Sequence, residues 1–103
     1  MIVYEINIQV AAIVADAYRL WLRAHVAEIL RLPGFIDAQV YAAEDLPGPG
    51  PDADQQLCVH YHLHDREALQ NYLIEHAPRL RQDGIDRFAA QVCIRRRILQ
   101  TLD

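Results

Sequence analysis

An α+β fold with the element order β-α-β-β-α-β is predicted for this chain by three observations. The spacing of its apolar residues switches between a period of two and a period of 3.6 in that order. Pro/Gly punctuation falls where those periods change. The whole pattern fits within 103 residues, enough for one domain, taken as residues 1–103, with one modest core. This is the split-βαβ plan of the ferredoxin-like fold: a four-stranded antiparallel sheet with helices on one face. The other face must meet water or a partner.

The first strand, Ile2 to Val10, places Ile2, Tyr4, Ile6, Ile8 and Val10 on the helix-facing side and Val3, Glu5, Asn7 and Gln9 on the other. A helical stretch follows from Val14 to Leu30. Tyr18, Trp21, Leu22, His25 and Ile29 form its apolar stripe, and Leu32-Pro33-Gly34 ends it. The second strand, Phe35 to Ala43, offers Ile36, Ala38, Val40 and Ala42 to the core and Asp37, Gln39 and Tyr41 to the open face. Asp45 to Asp54, with Pro47, Gly48, Pro49, Gly50 and Pro51, reads as an exposed hairpin loop.

The third strand, Gln56 to Leu63, alternates cleanly, with Leu57, Val59, Tyr61 and Leu63 inward and Cys58, His60 and His62 outward. Asp65 suits the N-cap of a second helix running to His76, with Leu69, Tyr72, Leu73 and His76 along one stripe. Pro78 interrupts its hydrogen bonding and starts a short turn ending near Gly84. The last strand, Gln91 to Leu99, sets Val92, Ile94 and Ile98 on one face and Cys93, Arg95 and Arg97 on the other.

Composition narrows the function classes. No apolar run approaches the ~20 residues that span a bilayer, and no basic-then-hydrophobic leader opens the chain, so a soluble cytoplasmic protein is expected. All ten cationic side chains are Arg and the net charge is −4. The one basic run, Arg95-Arg96-Arg97, alternates faces on a strand and makes no continuous patch, which argues against nucleic-acid binding. Cys58 and Cys93 fall on strands separated by the first strand, roughly 9–10 Å apart and beyond disulfide reach.

The open face gathers Glu5, Asn7, Gln9, Asp37, Gln39, Tyr41, His60, His62, Arg95 and Arg97. It is polar without being an ordinary mixture of Lys and Glu. A homodimer packed face to face through it is the favoured reading, because a sheet this small with one covered side is marginal alone. His60 and His62 sit roughly 6–7 Å apart, a spacing able to chelate a metal if an acid such as Glu5 joined them. Spacing fixes no third ligand, and no metal or cofactor is expected.

On the helix-facing side His25 and His76 lie on apolar stripes. The helices run antiparallel, which separates the two imidazoles by roughly 15 Å and disfavours a direct dyad. Tyr18 and Trp21 are nearer the level of His76, so an aromatic pocket with one imidazole is expected there. A buried core histidine is the plainer reading of His25. Arg79 and Arg81, just after His76, suit a carboxylate or phosphate, although such residues are more often surface charges at a helix end.

Tyr4-Glu5-Ile6-Asn7, Trp21 with His25, Pro33-Gly34-Phe35, Tyr72 with His76-Ala77-Pro78-Arg79-Leu80-Arg81, Arg87-Phe88 and Arg96-Arg97 together give a resemblance. Through them the chain resembles an uncharacterised bacterial domain-of-unknown-function family of the dimeric α+β-barrel superfamily, which also holds antibiotic-biosynthesis-type monooxygenases. The resemblance runs nearly end to end and implies a ferredoxin-like protomer in a face-to-face dimer, with no established activity. Haem-degrading members of that superfamily use an Asn on the first strand with a Trp and a His on the second helix. This chain has Asn7 and His76, but its single Trp is Trp21 on the first helix, and Asn7 faces away from the pocket.

Three functions remain open. The leading one is a dimeric module that binds a small apolar or aromatic ligand between helices and sheet, lined by Trp21, His25, Tyr72 and His76. The second is a cofactor-independent monooxygenase or isomerase with His76 as general base and Arg81 orienting an anionic group. The third is a structural or regulatory interaction protein without catalysis.

Overall fold

In the computed structural model, which describes residues 1–46 and 54–102, β1 (Ile2–Val10), β2 (Phe35–Ala43), β3 (Gln55–Leu63) and β4 (Val92–Leu99) form one antiparallel sheet. Its order is β2-β3-β1-β4. A short 3-10 turn (Ala12–Val14) leads into α1 (Ala15–Ile29), and α2 (Arg66–Glu75) and α3 (Ala77–Phe88) complete the helical layer. The fold is the ferredoxin-like α+β plan. Its least dimension, 18 Å, matches one sheet and one layer of helices. The Pro/Gly run of the expected hairpin loop lies outside the described residues.

The core forms where both periodicities agree. Ile2, Tyr4, Ile8 and Val10 of β1 and Leu57, Val59, Tyr61 and Leu63 of β3 meet Tyr18, Leu22, Val26 and Ile29 of α1 and Leu69 and Tyr72 of α2. All are buried. Apolar burial at about 25 cal/mol per Å2 makes this central band the main source of stability.

Three particulars differ from the sequence reading. First, β2 carries an irregularity between Phe35 and Asp37. Phe35 pairs opposite Leu63, so Phe35 turns inward against Tyr61 and Tyr72 while Ile36 stands 46% exposed. An extra residue in one strand shifts the alternation by one, which period-two reading misses.

Second, the helices cover the two central strands and leave the edges bare. Val40 on β2 and Ile94 and Ile98 on β4 share the helix side with the core, yet all three are exposed. Alternation reports which side a residue takes, not whether anything covers it.

Third, the segment after Pro78 does not stop at Gly84. His76 leaves helical geometry (φ −125°), the chain bends, and α3 then runs to Phe88 with Pro78 in its first turn, where a missing N–H is harmless. Gly84 lies inside α3. A Cβ there would sit 2.9 Å from Cη2 of Trp21, so this glycine lets α3 press its backbone onto the indole.

Other boundaries follow local chemistry. The Asp65 side chain accepts a hydrogen bond from the Ala68 N–H at 2.9 Å and caps α2. Gly34 adopts φ +89° where the chain turns from α1 into β2, and a Cβ there would meet Ala68 Cβ at 2.3 Å. Cys58 and Cys93 are both free. Among the described residues, no helix is long and apolar enough to cross a membrane.

Candidate functional site

Between the helical layer and the sheet lies a cavity of about 190 Å3. The side chains of β1 and β3 form its floor, α1 and α3 its walls, and Val92, Ile94 and Arg96 of β4 one margin. Tyr4, Tyr18, Trp21, Tyr61 and Tyr72 give it an aromatic lining. Trp21 stacks on His25 with centroids 4.4 Å apart and planes at 20°, and Tyr18 packs edge-on to Phe88 at 5.0 Å. Because Trp21 and His25 are four residues apart on α1, their rings lie one above the other on the same helical face.

The polar groups here are few and fixed. Trp21 donates its indole N–H to Asp83 Oδ2 at 2.8 Å, and Asp83 also accepts from Arg87. These two hydrogen bonds hold the Asp83 carboxyl below its ordinary range. Arg81 reaches from α3 across to β1 and donates to the Tyr4 hydroxyl at 3.0 Å. Burial lowers the His25 pKa below its usual value, with the Arg96 charge acting the same way and Glu28 and Asp83 opposing. Burial thus favours the neutral form of the imidazole. Burial also pushes Tyr18 and Tyr72 up to about 12, so both stay as phenols.

Ala89, on the cavity margin just past α3, adopts φ +45° and ψ −127°, the one non-glycine positive φ among the described residues. Such a conformation costs about 1–3 kcal/mol and survives where packing on both sides dictates it.

Of the residues singled out in the sequence, Trp21, His25, Tyr72 and Arg81 all line this cavity. His76 does not. It lies in a separate surface depression with Pro33, Gly34, Asn71 and Glu75, and its Nδ1 is 3.2 Å from an Arg79 nitrogen. Tyr72 borders both spaces, so its ring divides them. The bend at His76 carries its imidazole out of line with the apolar face of α2. Sequence reading missed Tyr4 and Arg96 as pocket residues. Strand parity already contained the signal, since Arg96 shares its side of β4 with Val92, Ile94 and Ile98 and Tyr4 belongs to the inward set of β1.

On the opposite side of the sheet, Glu5 is buried at 5% exposure. Asn7 donates to its Oε1 at 2.7 Å, Arg97 donates to the same oxygen, and His60 Nε2 lies 2.7 Å from Oε2. Burial alone would raise this carboxyl; the three hydrogen bonds and the Arg97 charge outweigh it and bring the pKa down to about 2. Cross-strand register sets the cluster, with Glu5 facing His60 on β3 and Arg97 on β4. His62 pairs instead with Asp37, so the two outward imidazoles hold different acids. Asn7 is on this open side, away from the cavity, as parity requires. Glu5, Cys58 and His60 bring donor atoms within 4.8 Å of one another, although the oxygens of Glu5 are already engaged. Burial and the Glu5 charge push the Cys58 thiol up.

Solved structures share the fold across the chain. A Deinococcus radiodurans protein described as a proposed antibiotic biosynthesis monooxygenase is 16% identical, with a TM-score of 0.72 over 100% of this chain and 94% of its own. HapK from Hahella chejuensis is 17% identical, with a TM-score of 0.70 over 99% and 93%. SnoaB from Streptomyces nogalater, a cofactor-independent oxygenase, is 11% identical, with a TM-score of 0.69 over 99% and 94%. At these identities the likeness is one of fold. No curated protein matches the sequence. A family profile matches residues 1–102, nearly the entire chain, and the protein therefore belongs to the family described as Domain of unknown function (DUF4286).

Proposed function

We propose that this protein binds a small aromatic ligand in the cavity between its helices and sheet, as a homodimer joined through the open sheet face. The observation that carries the reading is the cavity itself: about 190 Å3, walled by aromatic rings, with few and fixed polar groups. An apolar cavity of ~150 Å3 admits benzene, so this one suits a single substituted ring. The dimer draws its support from the Glu5, Asn7, His60 and Arg97 cluster, a satisfied polar network on an uncovered face of the kind a packed interface requires.

Native mass spectrometry of the protein as purified, followed by denaturation, tests both halves. Two chains carrying a releasable small molecule support the reading. A bare monomer whose Trp21 fluorescence is unmoved by millimolar aromatic probes defeats it.

The neutral His25 favours one catalytic extension: cofactor-independent oxygenation of an electron-rich phenol. His25, rather than His76, is the base within the cavity: it takes the phenolic proton, the electron-rich ring supplies the electrons that reduce dioxygen, one oxygen stays on the ring as a quinone carbonyl and the other leaves as water. The cofactor-independent oxygenase SnoaB shares the fold. Oxygen uptake with a hydroquinone, present in the wild type and lost in His25→Gln with binding retained, would establish this; no uptake by the wild type would leave a binding protein.

A further inference from the structure

The cavity is electrostatically one-sided. Arg81 and Arg96 both line it, and among the described residues no Asp or Glu does. Arg79 pairs with Glu28, Arg87 with Asp83 and Arg97 with Glu5, while Arg19 and Arg66 donate to Gln55 and Gln100. Arg81 and Arg96 have no acidic partner among the described residues; Arg81 instead donates to the neutral Tyr4 hydroxyl. The nearest acid, Asp83, is already engaged by the Trp21 indole and Arg87. Arg81 is half-buried and Arg96 exposed, so the two guanidiniums bring positive charge to the margin of an apolar cavity that no carboxylate among the described residues lines. Their field is felt across the cavity, where the Arg96 charge lowers Tyr18, Tyr72 and His25 against the neighbouring causes that raise them or alongside burial.

We infer that the ligand is an aromatic carboxylate: one planar ring seated among Trp21, Tyr61 and Tyr72, with its carboxylate held by Arg81 and Arg96. The inference rests on the proposed reading of the cavity as a ligand site and adds the ligand's charge and shape. Guanidinium favours a carboxylate because its planar fork can donate two parallel hydrogen bonds to both oxygens. The Tyr4 hydroxyl accepts from one Arg81 nitrogen and so orients the remaining donors toward the cavity. Tyr4 is a positioning residue.

The test compares benzoate with benzamide, which has nearly the same shape and no charge, by Trp21 fluorescence and calorimetry on the wild-type protein at pH 7. Benzoate is expected to bind at least 10-fold more tightly. Arg81→Gln and Arg96→Gln should each reduce that ratio and together bring it to unity. Tyr4→Phe should lower the benzoate-to-benzamide ratio. Equal binding of the two probes would overturn the anion inference and leave the cavity reading standing. Failure of both probes to bind would overturn both. The wild-type comparison needs no variant to fold.

Discussion

Glu5→Gln tests the buried carboxylate on the open sheet face. In the folded protein the Glu5 carboxyl titrates near 2 rather than at its ordinary 4.5. A displacement of that size, at about 1.4 kcal/mol per pH unit, corresponds to an upper value of about 3 kcal/mol for the charged form. Arg97 is 67% exposed, so water screens part of the pairing and about 1–3 kcal/mol is the working range. A carboxyl lowered on folding stabilises at pH above 4.5, and that contribution fades as pH falls toward 2. Glu5→Gln should therefore be less stable by about 1–3 kcal/mol at pH 7, with the gap closing between pH 4.5 and pH 2. Urea denaturation of both proteins across this range, at one fixed protein concentration, measures the difference and cancels the other carboxyls. A gap that stays constant from pH 7 to pH 2, or a variant as stable as the wild type at pH 7, would refute the account of Glu5.

Three further substitutions probe the local geometry. Gly84→Ala would gain up to about 1 kcal/mol of helix propensity on an open surface, but its Cβ lands 2.9 Å from the Trp21 ring; net destabilisation with a shifted Trp21 emission is expected in thermal melts, and stabilisation would refute the close packing. Ala89→Gly should stabilise by about 1 kcal/mol, because glycine adopts positive φ freely and this relief exceeds its entropy cost; a loss in denaturant midpoint would show that the φ of +45° is not strained. Asp65→Ala removes the side-chain acceptor for the Ala68 N–H and should cost about 1 kcal/mol, with Asp65→Asn recovering most of it; equal loss in both variants would show that capping is not the cause.

The sequence by itself determined the fold, the strand order and, outside Phe35 and Ile36, the face that strand residues take, because those follow from periodicity, chain connectivity and a few strong local signals. Asp65 caps the helix it precedes, and Trp21, His25 and Tyr72 come to one cavity because the inward stripes of two helices and a sheet must meet. Three things were decided only by tertiary structure. The irregularity at Ile36 exchanges the roles of Phe35 and Ile36, since the two-residue period continues on either side of an inserted residue. Gly84 was legible as a stop signal but serves as a contact, because only the position of α1 places an indole against it. His76 leaves the apolar stripe through a bend whose direction no local spacing encodes. The charge of the cavity belongs to the same class: Arg81 and Arg96 are 15 positions apart on different elements, and only the packing of α3 over the sheet brings both to one cavity. Local chemistry sets what each segment is, and long-range packing sets what each side chain meets.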